Sequence, residues 1–191
     1  MPAMSLAHQT KRMTFDEFLA WSSRQERGRY EFIDGEILEM PAEGLEHNLV
    51  KLALANIFRD AAKAAGFAGT AVTDGMTVRT KGGTRGREPD AALTATPMTD
   101  RKAMVLPDPL IVAEVVSPSS ERDDTGDKLD EYFSVPTIQH YLIVRPDKKL
   151  IVHHSRGDGG ALRTTFVTGP ALTLDPPGLT LDLAPLYEAC G

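Results

Sequence analysis

The chain has 191 residues, 41% of them hydrophobic and 25% charged, with a formal net charge of −6. That balance fits one soluble globular domain over residues 1–191, with residues 1–12 expected to be flexible. No apolar run approaches the length of a membrane span, and the opening residues MPAMSLAHQTKRM lack the apolar core of a secretory signal. The single cysteine, Cys190, permits no internal disulfide, so a reducing cytoplasm is the expected compartment. The negative charge argues against broad non-specific nucleic-acid binding and leaves room for a local basic groove.

In chain order, Thr14-Phe15-Asp16-Glu17 matches a capping box, Thr14 as N-cap and Glu17 at N3, and predicts a short helix to about Ser22. Tyr30–Ile33 and Glu36–Met40 flank Asp34-Gly35, the strongest short hairpin signal. Gly44 to Ala65 is alanine-rich and predicts a helix ended by Gly66, with Leu49, Leu52, Ala53, Asn56 and Ile57 spaced for one face. Ala71 to Thr80 reads as a strand pair or one bent strand around Asp74-Gly75. Lys81 to Arg87 reads as a glycine-rich loop. Pro89-Asp90 opens another strand, and Thr94 to Asp108 is a connector.

Pro109 to Val116 is apolar except for Glu114, and does not alternate as a solvent-facing strand would. It reads as a buried central strand that stops at Ser117-Pro118. A helix from Asp123 to Phe133, with Leu129 and Phe133 on one face, and a strand from His140 to Val144 complete a βαβ unit with parallel strands. The C-terminal third (Leu150–His153, Arg163–Val167, Leu172–Leu174, Leu179–Leu183) reads as short strands with Gly and Pro turns. The whole predicts an α/β (α+β) fold: a mixed, curved sheet flanked by helices.

A lone ionised carboxylate inside such a strand costs several kcal/mol or loses its charge unless something pairs with it. Asp90 at the start of a neighbouring strand supplies a second carboxylate, and together they suit a hard divalent cation such as Mg²⁺. Lys128 in the following helix could orient or deprotonate an attacking water and offset developing charge.

The chain resembles the Uma-two family of restriction endonuclease-like proteins, within the PD-(D/E)XK nuclease superfamily. The matching stretches are Tyr30-Glu31-Phe32-Ile33-Asp34-Gly35-Glu36-Ile37, His47 at a helix start, Arg87-Glu88-Pro89-Asp90, Ala113-Glu114-Val115-Val116-Ser117-Pro118-Ser119-Ser120, the Asp124…Lys128…Tyr132 helix and the strand at Tyr141. They run in family order over most of the chain. The resemblance implies a restriction endonuclease-like core and Mg²⁺-dependent cleavage of DNA, with Mn²⁺ as an alternative ion. Asp90 and Glu114 would be metal ligands and the Val115 carbonyl a third. It also implies a homodimer and no nucleotide cofactor. The superfamily places its lysine two residues after the Glu, where this chain has Val116, so Lys128 is the candidate for a lysine moved to the next helix. Relatives usually carry an acidic residue before the Tyr and an Asp before the Pro of the later strand, where this chain has His140 and Arg145.

Each candidate has a plainer reading. Asp90 could cap a turn after Pro89. Glu114 could sit in a structural ion pair. Lys128 could contact Asp124 and Glu131 along its own helix. Glu31 could be a solvent-facing strand residue or a carboxylate reaching the metal site. His47 could be a capping residue, or a contact for phosphate or water. Arg79, Lys81, Arg85 and Arg87 form a basic stretch without the ending of a P-loop, and read either as a solvated loop or as a clamp on phosphates beside the metal. His153 and His154, adjacent on a strand, should face opposite ways and not share an ion.

Overall fold

The apolar run around Glu114 forms a strand, Pro109–Val115, in which every residue is buried. The computed structural model describes residues 12–116 and 125–190. Its elements are α1 (Phe15–Ser22), β1 (Tyr30–Ile33), β2 (Glu36–Glu39), α2 (Leu45–Ala64), β3 (Ala71–Thr73), β4 (Val78–Thr80), β5 (Arg85–Arg87), β6 (Ala91–Thr94), β7 (Pro109–Val115), α3 (Thr125–Phe133), β8 (His140–Arg145), β9 (Leu150–Arg156), β10 (Leu162–Val167), β11 (Ala171–Leu174), β12 (Leu179–Asp182) and α4 (Ala184–Ala189).

The main sheet has six strands in the order β10-β9-β8-β7-β6-β3. Among its described strands only β7 and β8 pair in parallel, Ile111 opposite His140 through Val115 opposite Val144, with α3 between them in sequence. This is the expected βαβ unit. A second, antiparallel sheet runs β2-β1-β5-β4, and β11-β12 form a separate hairpin.

Alternation along β7 sorts the core into two faces. Ile111, Ala113 and Val115 join α2, β12 and α4 in one buried cluster. Val112 joins Tyr132, Tyr141 and Ile143 in the other. Leu129 and Phe133 pack against that second cluster, as their shared helical face predicts. Glu114 shares the side of Val112, and so points towards α3. A third cluster, Phe15, Phe18 and Phe32, fixes α1 on β1.

Local signals account for several of these elements. The Thr14–Glu17 capping box forms in full, and losing such a cap typically costs about 1 kcal/mol. Asp34 and Gly35 both take positive φ, 49° and 93°, as a type I′ turn needs. Gly66, at φ 65°, ends α2: its N–H bonds the Lys63 carbonyl and the Phe67 N–H bonds that of Ala62.

Three readings change. Ala71–Thr80 does hold two strands, but they are not paired with each other, because β3 belongs to the main sheet and β4 to the small one. The stretch 81–87 is not all loop: Lys81–Gly83 is a tight 3₁₀ turn and β5 is an inner strand between β1 and β4. Glycine hid that strand, yet Gly86 is what lets it sit there, since a Cβ would lie 2.7 Å from the Phe15 ring. On α2, the buried side is Val50, Leu54, Ile57, Phe58, Ala61 and Ala62, while Leu49 and Leu52 face outward. α4 had no counterpart among the predicted elements. Ser117-Pro118 and Asp123-Asp124 lie outside the described residues. Among those described, no helix is long and apolar enough to cross a membrane.

Candidate metal and nucleic-acid site

The site is two acidic pockets joined across one strand pair. Ala91 of β6 pairs with Ala113 of β7, which sets Asp90 beside the end of β7. There the Val115 N–H donates to Asp90 Oδ2 at 2.7 Å. Asp90 is buried, and the first two turns of α2 reach it from the other side. His47 and Lys51, one turn apart, both face it. His47 Nε2 lies 3.4 Å from Asp90 Oδ2 and 3.4 Å from Glu43 Oε1. Lys51 Nζ bonds Glu43 and, at 2.7 Å, Asp74, and stands 3.8 Å from Asp90 Oδ1. Arg29 completes the ring, bonding Glu43 and Glu88 and lying 3.6 Å from Asp90 Oδ1.

Glu43, His47 and Asp90 each offer a ligand atom, all within 4.8 Å of one another. The Nε2 of His47 is buried and has no directed hydrogen-bond partner. A neutral imidazole nitrogen with two carboxylates is a donor set that divalent metals accept.

The second pocket lies on the α3 side. Lys128 Nζ donates to Glu114 Oε2 at 3.1 Å, and the Tyr132 hydroxyl donates to Glu114 Oε1 at 2.5 Å. Lys128 is 6% exposed and also lies 3.7 Å from Glu31 Oε1. It therefore spans two carboxylates in the interior. Glu131, the expected partner along the helix, is turned instead to Arg87 and Arg85. Glu31 is 1% exposed, which excludes its solvent-facing reading. Its Oε2 accepts from Arg87 at 2.6 Å.

The two carboxylates titrate in opposite directions. Burial alone would raise Asp90, but His47, the Val115 amide and Lys51 hold it below the usual carboxylate range. Burial pushes Glu114 up to about 7; Lys128 pulls against this, the charges of Asp90 and Glu31 push the same way, and Tyr132 pulls back.

The basic stretch is built into the scaffold more than expected. Arg87 is 2% exposed and ties β5 to Glu31 and to Glu131. Arg85 bridges Asp34 and Glu131. Lys81 pairs with Asp130 and Arg79 with Asp16, both on the surface. His153 and His154 do point apart, to His140 and to Thr164 respectively.

Sequence reasoning brought Asp90, Glu114, Lys128, Glu31, Val115 and His47 to one region, and the structure places them together. It missed Arg29, Glu43, Lys51 and Asp74, and named Tyr132 in its motif without giving it a role. The four-residue spacing of Glu43, His47 and Lys51 was the one available signal, the spacing of a helical face.

Comparison with known proteins gives the family and the fold. Residues 15–184 match the model of the Uma2 family, described as "Putative restriction endonuclease". The chain belongs to the Uma2 family. A curated relative, the uncharacterized protein slr1290 of Synechocystis sp. (strain PCC 6803), is 27% identical over 175 residues, 91% of this chain and 90% of that protein. The crystal structure of a protein from Anabaena variabilis, titled a putative nuclease belonging to DUF820, superposes with a TM-score of 0.70 at 16% identity, covering 94% of this chain and 99% of that one. At that identity the likeness establishes the fold, and the Uma2 chain shares it.

Proposed function

We propose that this Uma2 protein is a metal-dependent nuclease that hydrolyses phosphodiester bonds of DNA. The observation that carries the proposal is the contact of Lys128 with Glu114. Position 116 holds valine where the superfamily has its lysine, yet a lysine from the next helix arrives at the same carboxylate, 3.1 Å away.

Asp90 and Glu114 would hold Mg²⁺ or Mn²⁺, with the Val115 carbonyl as a further donor. The orphaned His47 nitrogen and Glu43 fit the same role on the α2 side. When bound, such an ion supplies Lewis acidity to the scissile phosphate and lowers the pKa of a bound water. The chain's own groups do the rest. Lys128 Nζ offsets the charge of Glu114 and is placed to orient the attacking water. Glu31, held by Arg87, keeps that ammonium from turning away. Water adds to phosphorus, one P–O ester bond breaks, and the leaving oxygen takes a proton. Arg79 and Lys81, the more exposed of the basic residues, would contact phosphates along the strand and exchange surface ion pairs for them. Arg85 stands behind them, and Arg87 acts through Glu31.

A second reading keeps the fold without the chemistry: a nucleic-acid-binding protein that does not cut. It is favoured by the cations already in place, since Arg29 and Lys51 offset part of the negative charge around Asp90.

Nicking of supercoiled plasmid with Mg²⁺ or Mn²⁺ separates these readings. Activity in the wild type that is lost in both Asp90→Ala and Glu114→Ala supports the nuclease. Equal cleavage by both variants removes the site assignment, and binding without cleavage under either metal favours the second reading. RNA and a small phosphodiester run in parallel decide the substrate class.

A further inference from the structure

The ion pairs around Asp90 do not balance. Among the described residues, Glu43, Asp74, Glu88 and Asp90 supply four carboxylates there, and Arg29 and Lys51 supply two cations. With His47 neutral, the group carries two negative charges in excess. Glu88, Asp90 and Lys51 are buried, and charge left uncompensated in such a place is costly. One divalent cation closes the balance.

The ligand atoms for it already lie together. Glu43, His47 and Asp90 form that group, and Glu114 is not part of it. Glu114 faces Lys128 and Tyr132 instead. His47 Nε2 stands 3.4 Å from each of the two carboxylates, closed off from solvent and without a directed hydrogen bond. We propose that Glu43, His47 and Asp90 form a second metal site, separate from Glu114, that takes a divalent transition ion such as Zn²⁺, Co²⁺ or Mn²⁺ in preference to Mg²⁺. The nitrogen sets that preference. Mg²⁺ demands oxygen ligands and gives up its waters reluctantly, whereas imidazole suits the transition ions.

The two cations are placed to give way. Arg29 and Lys51 both bond Glu43, and each has another acid outside the proposed ligand set. Arg29 Nε bonds Glu88 Oε1 at 2.6 Å, and Lys51 Nζ bonds Asp74 Oδ2 at 2.7 Å. An ion that takes the oxygens of Glu43 therefore leaves neither cation without a partner. The site goes beyond the nuclease reading and shares only Asp90 with it, because an ion can bind here whether or not the chain cuts.

Titration of the metal-free, untagged full chain with Mn²⁺ tests the site, read by pulsed electron paramagnetic resonance for the ¹⁴N coupling of a coordinated imidazole. The wild type should show that coupling, and Glu114→Gln should keep it. His47→Gln should abolish it and weaken Mn²⁺ binding about 100-fold, with Glu43→Gln weakening binding alongside; both variants should keep the wild-type circular dichroism. Zn²⁺ should displace the nitrogen-coupled Mn²⁺ at concentrations about 100-fold below those Mg²⁺ requires. Asp74→Asn with Glu88→Gln leaves every ligand in place, yet should weaken binding about tenfold, because Arg29 and Lys51 then stay on Glu43.

Mn²⁺ bound without nitrogen coupling overturns the proposal. Coupling that disappears in Glu114→Gln overturns it as well, since the two sites would then be one. Equal competition by Mg²⁺ and Zn²⁺ overturns the ion class, and unchanged affinity in the Asp74 and Glu88 variant overturns the exchange of partners. Nitrogen-coordinated Mn²⁺ in a chain that does not nick plasmid supports this site and removes the nuclease reading. Nicking without nitrogen coordination does the reverse.

Discussion

Asp90 and Glu114 are side by side in the fold and opposite in character. Both are buried acids at the ends of paired strands, but Asp90 is held below the usual carboxylate range and Glu114 is raised to about 7. The difference lies in what surrounds each. Asp90 meets a backbone N–H, His47 and Lys51 of α2, and Arg29. Glu114 has one ammonium, which it shares with Glu31, and a hydroxyl. Divergent pKa values in one cleft are how a protein assigns different tasks to two carboxylates. On the proposed nuclease reading, Asp90 would meet a cation as an anion, whereas Glu114 would lose a proton on binding one. Metal binding is therefore expected to tighten as pH rises through 7 and to release a proton.

The contrast can be broken at each end. The largest effect is expected from Asp90→Ala, which removes the permanent anion: plasmid cleavage should fall about 10³-fold, the scale of losing a preorganised charge at a reacting centre, and Mn²⁺ binding read by electron paramagnetic resonance should fall with it. Arg87→Ala attacks the scaffold of the Glu114 side by leaving Glu31 and Glu131 buried without their shared cation. It should cost about 3 kcal/mol in urea unfolding, within the range for breaking one side of a buried ion pair. Retention of wild-type stability would mean that the Glu31–Arg87–Glu131 network contributes nothing.

Lys128→Met should lower cleavage about 100-fold. It should also move the pH midpoint of the remaining activity upward, because Lys128 is what pulls the Glu114 pKa down. A rate loss with no movement of the midpoint would separate Lys128 from Glu114. Tyr132→Phe removes one hydrogen bond to Glu114 and should cost about 1.5 kcal/mol by thermal unfolding, with the midpoint moving in the same direction by less.

The smallest effect sharpens the comparison most. The folded-state pKa of Glu114, about 7, lies above its ordinary value of 4.5. Folded chains thus bind more protons than unfolded ones between those values, and the contribution of Glu114, present below about 4.5, is lost as pH rises through 7. Asp90 has the opposite sign: its contribution is present above the ordinary 3.8 and is lost as pH falls through the folded value. In metal-free protein, Glu114→Gln should flatten the decline in melting temperature between pH 5 and about 8, and Asp90→Asn should leave that decline alone. Identical profiles for the two variants would show that the pockets do not differ.

Legibility from sequence followed the range of the interaction involved. The capping box, the Asp34-Gly35 hairpin and the Gly66 stop are set by neighbouring residues, and all three could be read from the sequence. The uninterrupted apolar run marked β7 as central, because a strand buried on both faces has no polar alternation to show. The motif stretches then named Asp90, Glu114 and Lys128. Lys51 and Arg29 were missed because an isolated Lys or Arg reads as surface, and their burial depends on acids brought from Glu43, Asp74 and Glu88 by different elements. The basic stretch 79–87 was read as one exposed unit, but pairing between β1 and β5 turned Arg87 inward.

The sequence by itself determined the local elements, the buried strand and the acids that end it, because periodicity, caps and turn residues act over a few positions. It also determined that a lone carboxylate in that strand needed compensation. Only the tertiary structure decided what compensates it. The βαβ crossover carries Lys128 and Tyr132 back to Glu114, and α2 brings His47 and Lys51 to Asp90. The same packing decided which of the two apolar sides of α2 is core. Periodicity marks a face, but only the sheet it meets determines whether that face is buried.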